Sequence, residues 1–135
     1  MVCGRMMILE GMDALSDTRK TGILGEQLAS DSLARRGYEI VERGWRCPLG
    51  EVDIVARDGA CWVFVEVKTR RGRGAGLPEE ALTPRKAERL TELAQTYLSA
   101  HALGEVDWRI DLVAIELDVC GGVKRLDVVP CVAAG

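Results

Sequence analysis

Apolar residues recur at helical spacing in two stretches of the chain, and each stretch predicts an amphipathic helix. In the first, Thr18 or Thr21 can cap the start and Gly37 is a natural stop. Its apolar stripe consists of Ile23, Leu24, Leu28, Ala29 and Leu33. The second helix is predicted to begin at Thr83-Pro84, because threonine is a good N-cap and proline suits the first helical position.

Five stretches rich in β-branched and aromatic residues predict strands. They are Tyr38–Arg43, Glu51–Arg57, Cys61–Thr69, Trp108–Leu117 and Val123–Val129. The resulting order, α-β-β-β-α-β-β, predicts an α/β fold in which helices flank one mixed central β-sheet. Residues 1–20 are expected to form a flexible leader and residues 21–135 a single domain, since no internal repeat or linker divides them.

The connection between the second and third strands sets which side chains meet. Asp58-Gly59 is a strong signal for a two-residue hairpin turn. With that turn, Asp53 pairs with Phe64, and Asp53 and Glu66 become diagonal neighbours on one face, roughly 7–8 Å apart. A turn longer by two residues would place the two acids directly opposite each other, and one longer by a single residue would send them to opposite faces.

Composition narrows the class of protein. The chain has 135 residues, a net charge of −3, one histidine, and five cysteines without a C-x-x-C pair. These features disfavour a disulfide framework, a zinc site and a Ser/His/Asp mechanism, and no apolar run is long enough to predict a transmembrane helix. A cytoplasmic protein with reduced thiols is expected. The overall charge disfavours a nucleic-acid partner, but the segment from Arg35 to Arg89 has twelve Lys/Arg against nine Asp/Glu and permits a local basic surface.

Asp53, Glu66 and Lys68 place charge among strand residues that otherwise favour burial. Such charge is costly unless it is paired or binds a metal ion. Carboxylate oxygens suit Mg²⁺, and metal-bound water is acidic enough to attack a phosphodiester. A lysine beside them can hold or deprotonate that water, or offset the charge of the transition state. The pattern therefore indicates a Mg²⁺-dependent nuclease site, although a purely structural ion pair explains the same residues.

Basic residues flank this suspected site. Thr69–Leu77 is a Gly/Arg loop, which is either a flexible solvated loop or a mobile strap whose arginines contact phosphates. Arg85, Lys86 and Arg89 lie in the first turns of the second helix, where the helix dipole disfavours cations. An anionic partner would explain them, and so would neutralisation by the glutamates nearby.

Several of these residues resemble one protein family. Gly50–Val55 and Phe64–Arg70 are similar to the motif of the restriction-endonuclease-like PD-(D/E)xK superfamily, and within it to the small bacterial YraN-type proteins. Val52 stands where the superfamily has a proline. The resemblance covers about residues 22 to 117, and its further matches are Gly22, Gly25, Glu26, Ala29, Arg35, Gly37, Tyr38, Trp45, Arg46, Cys47, Ala81, Arg85, Lys86, Arg109, Asp111 and Val113.

The resemblance implies a restriction-endonuclease-like domain over residues 21–135, related to archaeal Holliday-junction resolvases. It implies that Glu26, Asp53, Glu66 and Lys68 form the catalytic set, with Asp53, Glu66 and Glu26 as ligands of Mg²⁺ or Mn²⁺. Without the resemblance, Glu26 is better explained as a solvated residue on the face of a helix. The implied substrate is branched or Holliday-junction DNA, and a homodimer is expected because a junction needs paired cuts. The residues expected to contact the DNA backbone are Arg70, Arg71, Arg73, Arg85, Lys86 and Arg89.

Two alternatives retain this fold without the activity. One is a non-catalytic nucleic-acid-binding module, which would bind DNA without metal. The other is a protein-interaction scaffold, which the acidic overall charge and the acidic C-terminal third favour. A lack of salt-sensitive DNA binding would distinguish the scaffold.

Overall fold

A computed structural model describes residues 10–72 and 76–134 and shows an α/β domain built on a five-stranded sheet. The predicted order α-β-β-β-α-β-β is confirmed, with one short 3₁₀ turn added before the second helix. The elements are α1 Glu10–Arg35, β1 Glu39–Cys47, β2 Gly50–Asp58, β3 Cys61–Arg71, the 3₁₀ turn Pro78–Ala81, α2 Pro84–Ala100, β4 Trp108–Leu117 and β5 Val123–Ala134. Across the described ranges, no helix is both long and apolar enough to cross a membrane.

The sheet is mixed, as the sequence predicted. Its strands follow one another in chain order, and every neighbouring pair is antiparallel except β3 and β4, which are parallel. Parallel neighbours cannot be joined by a tight turn, so the chain must cross over one face of the sheet between them. Helix α2 makes that crossover, and it therefore lies over the strands that carry Asp53 and Glu66.

The two faces of the sheet bury separate apolar layers. Ala29 and Leu33 of α1 pack in one layer with Val63 and Val65 of β3. The opposite layer joins Leu90, Leu93 and Tyr97 of α2 to Phe64 and Ile110. Alternating side chains of β3 thus enter both layers, as expected for a central strand covered on both faces.

Helix α1 begins earlier than the sequence predicted. Thr18 and Thr21 were candidate caps, but the helix already includes Glu10, so residues 10–20 of the expected leader are helical. Residues 1–9 lie outside the described part of the chain. A single capping threonine contributes only about 1 kcal/mol, so it does not force a helix to start where the preceding residues also accept helical geometry.

The hairpin between β2 and β3 corrects the predicted register. Asp58 pairs with Cys61, and the turn residues are Gly59 and Ala60 rather than Asp58 and Gly59. Gly59 has a φ of +63°, the positive value that a type II′ turn requires at its first central residue. The predicted pairing of Asp53 with Phe64 is therefore wrong, because Phe64 pairs with Val55. The β2–β3 pairs end at Ile54 and Val65, and beyond them the Asp53 side chain accepts the backbone N–H of Val67.

A polar network ties this hairpin to β4 and to the segment between α1 and β1. Arg109 donates from Nη2 to Asp58 Oδ2 at 3.0 Å and from Nε to Asp111 Oδ1 at 2.9 Å. The Tyr38 hydroxyl accepts from Arg109 Nη2 at 2.9 Å and donates to Asp111 Oδ2 at 3.1 Å. Because Asp111 is fully buried, these bonds provide the partners that a buried carboxylate requires.

Replacing Tyr38 by phenylalanine should therefore lower the free energy of unfolding by about 1–2 kcal/mol, because buried polar atoms of Arg109 and Asp111 lose a partner. Urea unfolding of the variant and the wild type measures the difference. An unchanged midpoint and slope would mean that the hydroxyl contributes no net stability to the network.

A second arginine fixes the segment that leads into α2. Arg125 of β5 binds Glu79 of the 3₁₀ turn through two nitrogens, at 2.7 and 2.9 Å. The hydrogen bonds from Arg125 lower the pKa of Glu79 to about 2. The turn is thus held against the sheet, and with it the position at which α2 begins.

Candidate functional site

Asp53 and Glu66, predicted from sequence as metal ligands, lie on the neighbouring strands β2 and β3 and line the same cleft. Asp53 Oδ2 accepts a hydrogen bond of 2.8 Å from the backbone N–H of Val67. Glu66 is buried, with 8% of its surface exposed, and its Oε2 lies 3.0 Å from Nζ of Lys86. Each carboxylate therefore has one partner within the protein.

The Asp53 carboxyl is held in a strongly unfavourable setting for negative charge. Burial is the largest cause and raises its pKa, and the nearby charges of Glu66, Glu26 and Glu51 raise it further. The hydrogen bond from Val67 acts in the opposite direction, and the net result is a pKa of about 7. A carboxyl that lies among other acids and has no cation among the described residues in contact with it is suited to binding a metal cation.

Glu26 belongs to the same electrostatic cluster, although it comes from α1. Burial raises its pKa first, followed by the charge of Glu51, while Arg43 lowers it and Glu66 raises it. Its helix approaches closely here, since a Cβ added to Gly25 would lie 2.0 Å from Oγ1 of Thr69 on β3. The solvated-face explanation therefore does not describe Glu26, which is partly buried beside the other acids.

Two clefts meet at Asp53. The first, which we call the α1 cleft, has a volume of about 620 Å³ and is lined by residues that include Glu26, Asp53 and Lys68. The second, the α2 cleft, has a volume of about 430 Å³ and includes Asp53 and Glu66. The structure thus brings Glu26, Asp53 and Lys68 to one cleft, and Glu66 to the adjoining one.

Lys68 does not form the structural ion pair that the sequence left open. Within residues 10–72 and 76–134, its ammonium has no hydrogen bond or salt bridge. The partner of Glu66 is instead Lys86, twenty residues further along the chain. Lys68 is therefore available to a ligand in the α1 cleft.

The basic residues predicted to contact DNA lie in these clefts. Arg70 and Arg71 line the α1 cleft, while Arg85, Lys86 and Arg89 line the α2 cleft. Arg73 lies outside the described residues. Positive charge therefore lies on both sides of the carboxylates.

Lys86 and Glu51 also lie beside the carboxylates. The ammonium of Lys86, a residue predicted to contact DNA, lies 3.0 Å from Oε2 of Glu66, and the sequence did not predict this contact. The poor fit of a cation to the first turn of a helix was the available signal. Glu51 contributes to the raised pKa of both Asp53 and Glu26. Its place near the site is predicted by alternation along β2, which puts Glu51 on the same face as Asp53, two residues earlier.

The donor set fits a magnesium ion in chemistry but does not form a complete cage. No three His, Cys, Asp or Glu side chains converge on a single metal position among the residues that the structure describes. Mg²⁺ is usually held by one or two carboxylates and completes its shell with water and substrate phosphates. Asp53 and Glu66 meet that requirement, while the participation of Glu26 stays a prediction.

The fold and the site together define a small α/β domain with an acidic cluster and a lysine at the junction of two basic-lined clefts. The chain belongs to the uncharacterised protein family UPF0102, whose sequence profile matches residues 25–115. That range includes Glu26, Asp53, Glu66, Lys68 and Lys86, so the predicted YraN-type membership is confirmed over the whole candidate site.

Individual relatives agree with this assignment. A UPF0102 protein of Roseiflexus castenholzii is 46% identical over 112 residues, which cover 82% of this chain and 90% of the relative. A UPF0102 protein of Beutenbergia cavernae is 50% identical over 106 residues, covering 78% and 89%. One from Acidothermus cellulolyticus is 50% identical over 104 residues, covering 70% and 79%.

Proposed function

We propose that this protein is a Mg²⁺- or Mn²⁺-dependent endodeoxyribonuclease of the restriction-endonuclease-like superfamily that hydrolyses branched or four-way-junction DNA. The observation that carries the proposal is the setting of Asp53. Its carboxyl lies beside three other acids, has a pKa of about 7 because of burial and their charge, and opens onto clefts lined by arginine and lysine. A structural ion pair would balance these charges, and no cation within the described residues pairs with Asp53.

Asp53 and Glu66 would hold the metal ion, and Glu26 stands close enough to influence it electrostatically. When bound, Mg²⁺ supplies an acidic water and neutralises charge on the phosphate. Asp53 keeps its orientation through the Val67 N–H, which leaves its other oxygen without a competing bond from the described residues. The protein's contribution is therefore two prepositioned carboxylates on neighbouring inner strands of the sheet.

Lys68 is the proposed helper of the attacking water. Its ammonium lines the cleft that also contains Asp53 and Glu26. Through Nζ it can donate a hydrogen bond to the water, or to a phosphate oxygen that gains charge in the transition state. Placing such a donor where charge develops, rather than where it already exists, is what favours the reaction.

The arginines of both clefts are proposed to bind the DNA backbone. Arg70 and Arg71 lie on one side of Asp53, and Arg85 and Arg89 on the other, so a backbone crossing Asp53 would meet cations in both directions. A homodimer is part of the proposal, because two cuts are needed to resolve a junction. A cytoplasmic location is also proposed, in keeping with the free thiols Cys47 and Cys61.

Cleavage of a DNA panel tests the proposal. Linear, flapped and four-way substrates are incubated with the protein in Mg²⁺, in Mn²⁺ and in EDTA, beside the Asp53→Ala variant. We expect metal-dependent nicking of the four-way substrate by the wild type and none by Asp53→Ala. Equal cutting by both proteins would assign the activity to a contaminant.

The same panel separates the alternatives. Junction binding that persists in EDTA, without cleavage, and that is unaffected by Lys68→Ala would identify a non-catalytic binding module. Absence of any salt-sensitive binding to all three substrates would favour a protein-interaction scaffold.

A further inference from the structure

Lys86 is the residue whose position the proposed function does not explain. Its ammonium lies 3.0 Å from Oε2 of Glu66, a proposed metal ligand, rather than facing solvent with its neighbours. The side chain of Glu66 is 11% exposed and that of Lys86 is 39% exposed, so the pair lies partly inside the protein. The contact therefore needs a reason beyond ordinary surface pairing.

The start of α2 holds Lys86 in this position. Thr83 is the N-cap, and its Oγ1 accepts the backbone N–H of Lys86 at 3.2 Å. The 3₁₀ turn just before it is fixed to β5 through the Glu79–Arg125 contacts. The positive end of the helix dipole disfavours a cation in this turn, so the local structure does not stabilise the ammonium by itself. Glu66 supplies the compensating charge.

Asp53 and Glu66 differ in the partners that contact them. Asp53 accepts the backbone N–H of Val67 and has no cation among its described partners. Glu66 is buried and has the ammonium of Lys86 in contact with its carboxylate. Removing one partner of a buried ion pair leaves an uncompensated charge, so Glu66 depends on Lys86.

From this contact geometry we infer that Lys86 is the counter-ion of Glu66 in the metal-free protein, and that a divalent cation binding at Asp53 and Glu66 displaces its ammonium into the α2 cleft. The inference deepens the proposed function and rests on it for the identity of the metal site. Lys86 acts through Glu66 and is in this sense a positioning residue, which holds the Glu66 carboxylate in place until the metal replaces the ammonium.

Displacement would couple metal binding to DNA binding. Arg85 and Arg89 line the cleft into which the ammonium would move, so a freed Lys86 would add a third cation to a phosphate there. A phosphate in the cleft would in turn attract Lys86 away from Glu66 and leave that carboxylate to the metal. Because such coupling is reciprocal, DNA should tighten metal binding by the same factor as metal tightens DNA binding.

Calorimetric titration of Mg²⁺ into the full chain without DNA tests the competition. Lys86→Met should tighten Mg²⁺ binding roughly five-fold, since a partly exposed ion pair is a modest competitor. A merely structural role predicts unchanged or weaker binding. Lys86→Arg keeps the charge and should bind Mg²⁺ with wild-type or lower affinity.

Arg85→Met is the matched control. Arg85 lies one residue earlier in the same turn and lines the same cleft, but it has no ion pair among the residues described. Its loss removes the same charge without releasing Glu66. Equal tightening by Arg85→Met and Lys86→Met would overturn the inference, because a general charge effect would then account for both, and so would no tightening by Lys86→Met.

Thermal unfolding in EDTA tests the counter-ion itself, independently of metal binding. Lys86→Met should lower the melting temperature, and it should lower it much less in a Glu66→Gln background, where no charge needs a partner. Equal shifts in both backgrounds would overturn the inference while leaving the proposed nuclease site intact. The wild type and all variants could instead fail to bind Mg²⁺ while Lys86 and Glu66 remain coupled in thermal unfolding. That result would overturn the metal site and the proposed displacement, and it would confirm only the ion pair.

Discussion

Asp53→Asn should remove cleavage and at the same time stabilise the metal-free protein. The neutral amide loses a metal ligand, and we expect the cleavage rate to fall by at least about 100-fold, the scale seen when a principal electrostatic contact of a transition state is removed. Stability should change in the opposite direction, because the repulsion that raises the pKa of Asp53 to about 7 disappears. The amide oxygen can still accept the N–H of Val67, so the packing is retained.

The gain in stability depends on pH in a defined way. The carboxyl of Asp53 has a pKa near 4 in the unfolded chain and of about 7 in the fold, so between these values the folded state binds the extra proton. In EDTA the wild type should therefore lose stability as pH rises from about 4 to 7, while Asp53→Asn lacks this contribution. Above pH 7 the variant should be more stable by about 2–4 kcal/mol, since a tenfold change in proton affinity corresponds to about 1.4 kcal/mol and partial exposure reduces the total.

Urea unfolding at pH 4 and pH 8, with EDTA or Mg²⁺, measures the pH dependence of stability and the stabilisation by metal. The two proteins should be equally stable at pH 4, and Mg²⁺ should restore the wild type at pH 8 without affecting the variant. Asp107→Asn removes the same charge from an exposed loop and serves as the control. If Asp53→Asn were destabilised at pH 8, the carboxylate would have a stabilising partner and the setting assigned to it would be wrong.

Much of this fold could be predicted because its pattern is local. The order of elements, the mixed sheet and the start of α2 at Thr83-Pro84 follow from periodicity and capping, and the structure confirms them. The hairpin register could not be predicted, because the local sequence is compatible with a two-residue turn at Asp58-Gly59 or at Gly59-Ala60. Asp58 pairs within the strand and its side chain contacts Arg109, which is 51 residues away, so a distant contact favours the observed turn.

In the candidate site, too, some features follow from the local sequence pattern and others depend on how distant elements pack. Alternation along β3 predicts Glu66 and Lys68 on one face, whereas the structure places Lys68 in the α1 cleft and Glu66 in the adjoining α2 cleft. The partner of Glu66 depends on how α2 packs across the sheet, and no local rule selects Lys86 over Arg85 or Arg89. The observed register changes the geometry that the sequence predicted, because Phe64 pairs with Val55 rather than with Asp53, whose side chain accepts the backbone N–H of Val67.

Gly25→Ala should move Glu26, on α1, away from Asp53, on β2. Gly25 lies where α1 approaches β3, and an added Cβ would lie 2.0 Å from Oγ1 and 3.1 Å from Cβ of Thr69. Rotation of the threonine can relieve the first contact but not the second, so the helix must move away from the strand. We expect a loss of about 1–3 kcal/mol from overpacking, and a lower cleavage rate because Glu26 moves away from Asp53.

Gly22→Ala is a matched control on the same helix. An added Cβ there has no neighbour within 4 Å, and replacing a helical glycine by alanine should raise stability by up to about 1 kcal/mol. The two substitutions are chemically identical and three residues apart, so their opposite signs would isolate the contact with Thr69. Equal gains in both variants would show that α1 tolerates a side chain at Gly25 and that Glu26 is not held by this approach.

A second substitution tests whether the contact itself is responsible. Thr69→Ala removes Oγ1 and the methyl group, and it should return part of the stability lost in Gly25→Ala, since only the 3.1 Å contact with Cβ then remains. If the cleavage rate recovers together with stability, the position of α1 sets the contribution of Glu26. If stability recovers and cleavage does not, Glu26 is misplaced for another reason, and the close approach at Gly25 serves packing alone.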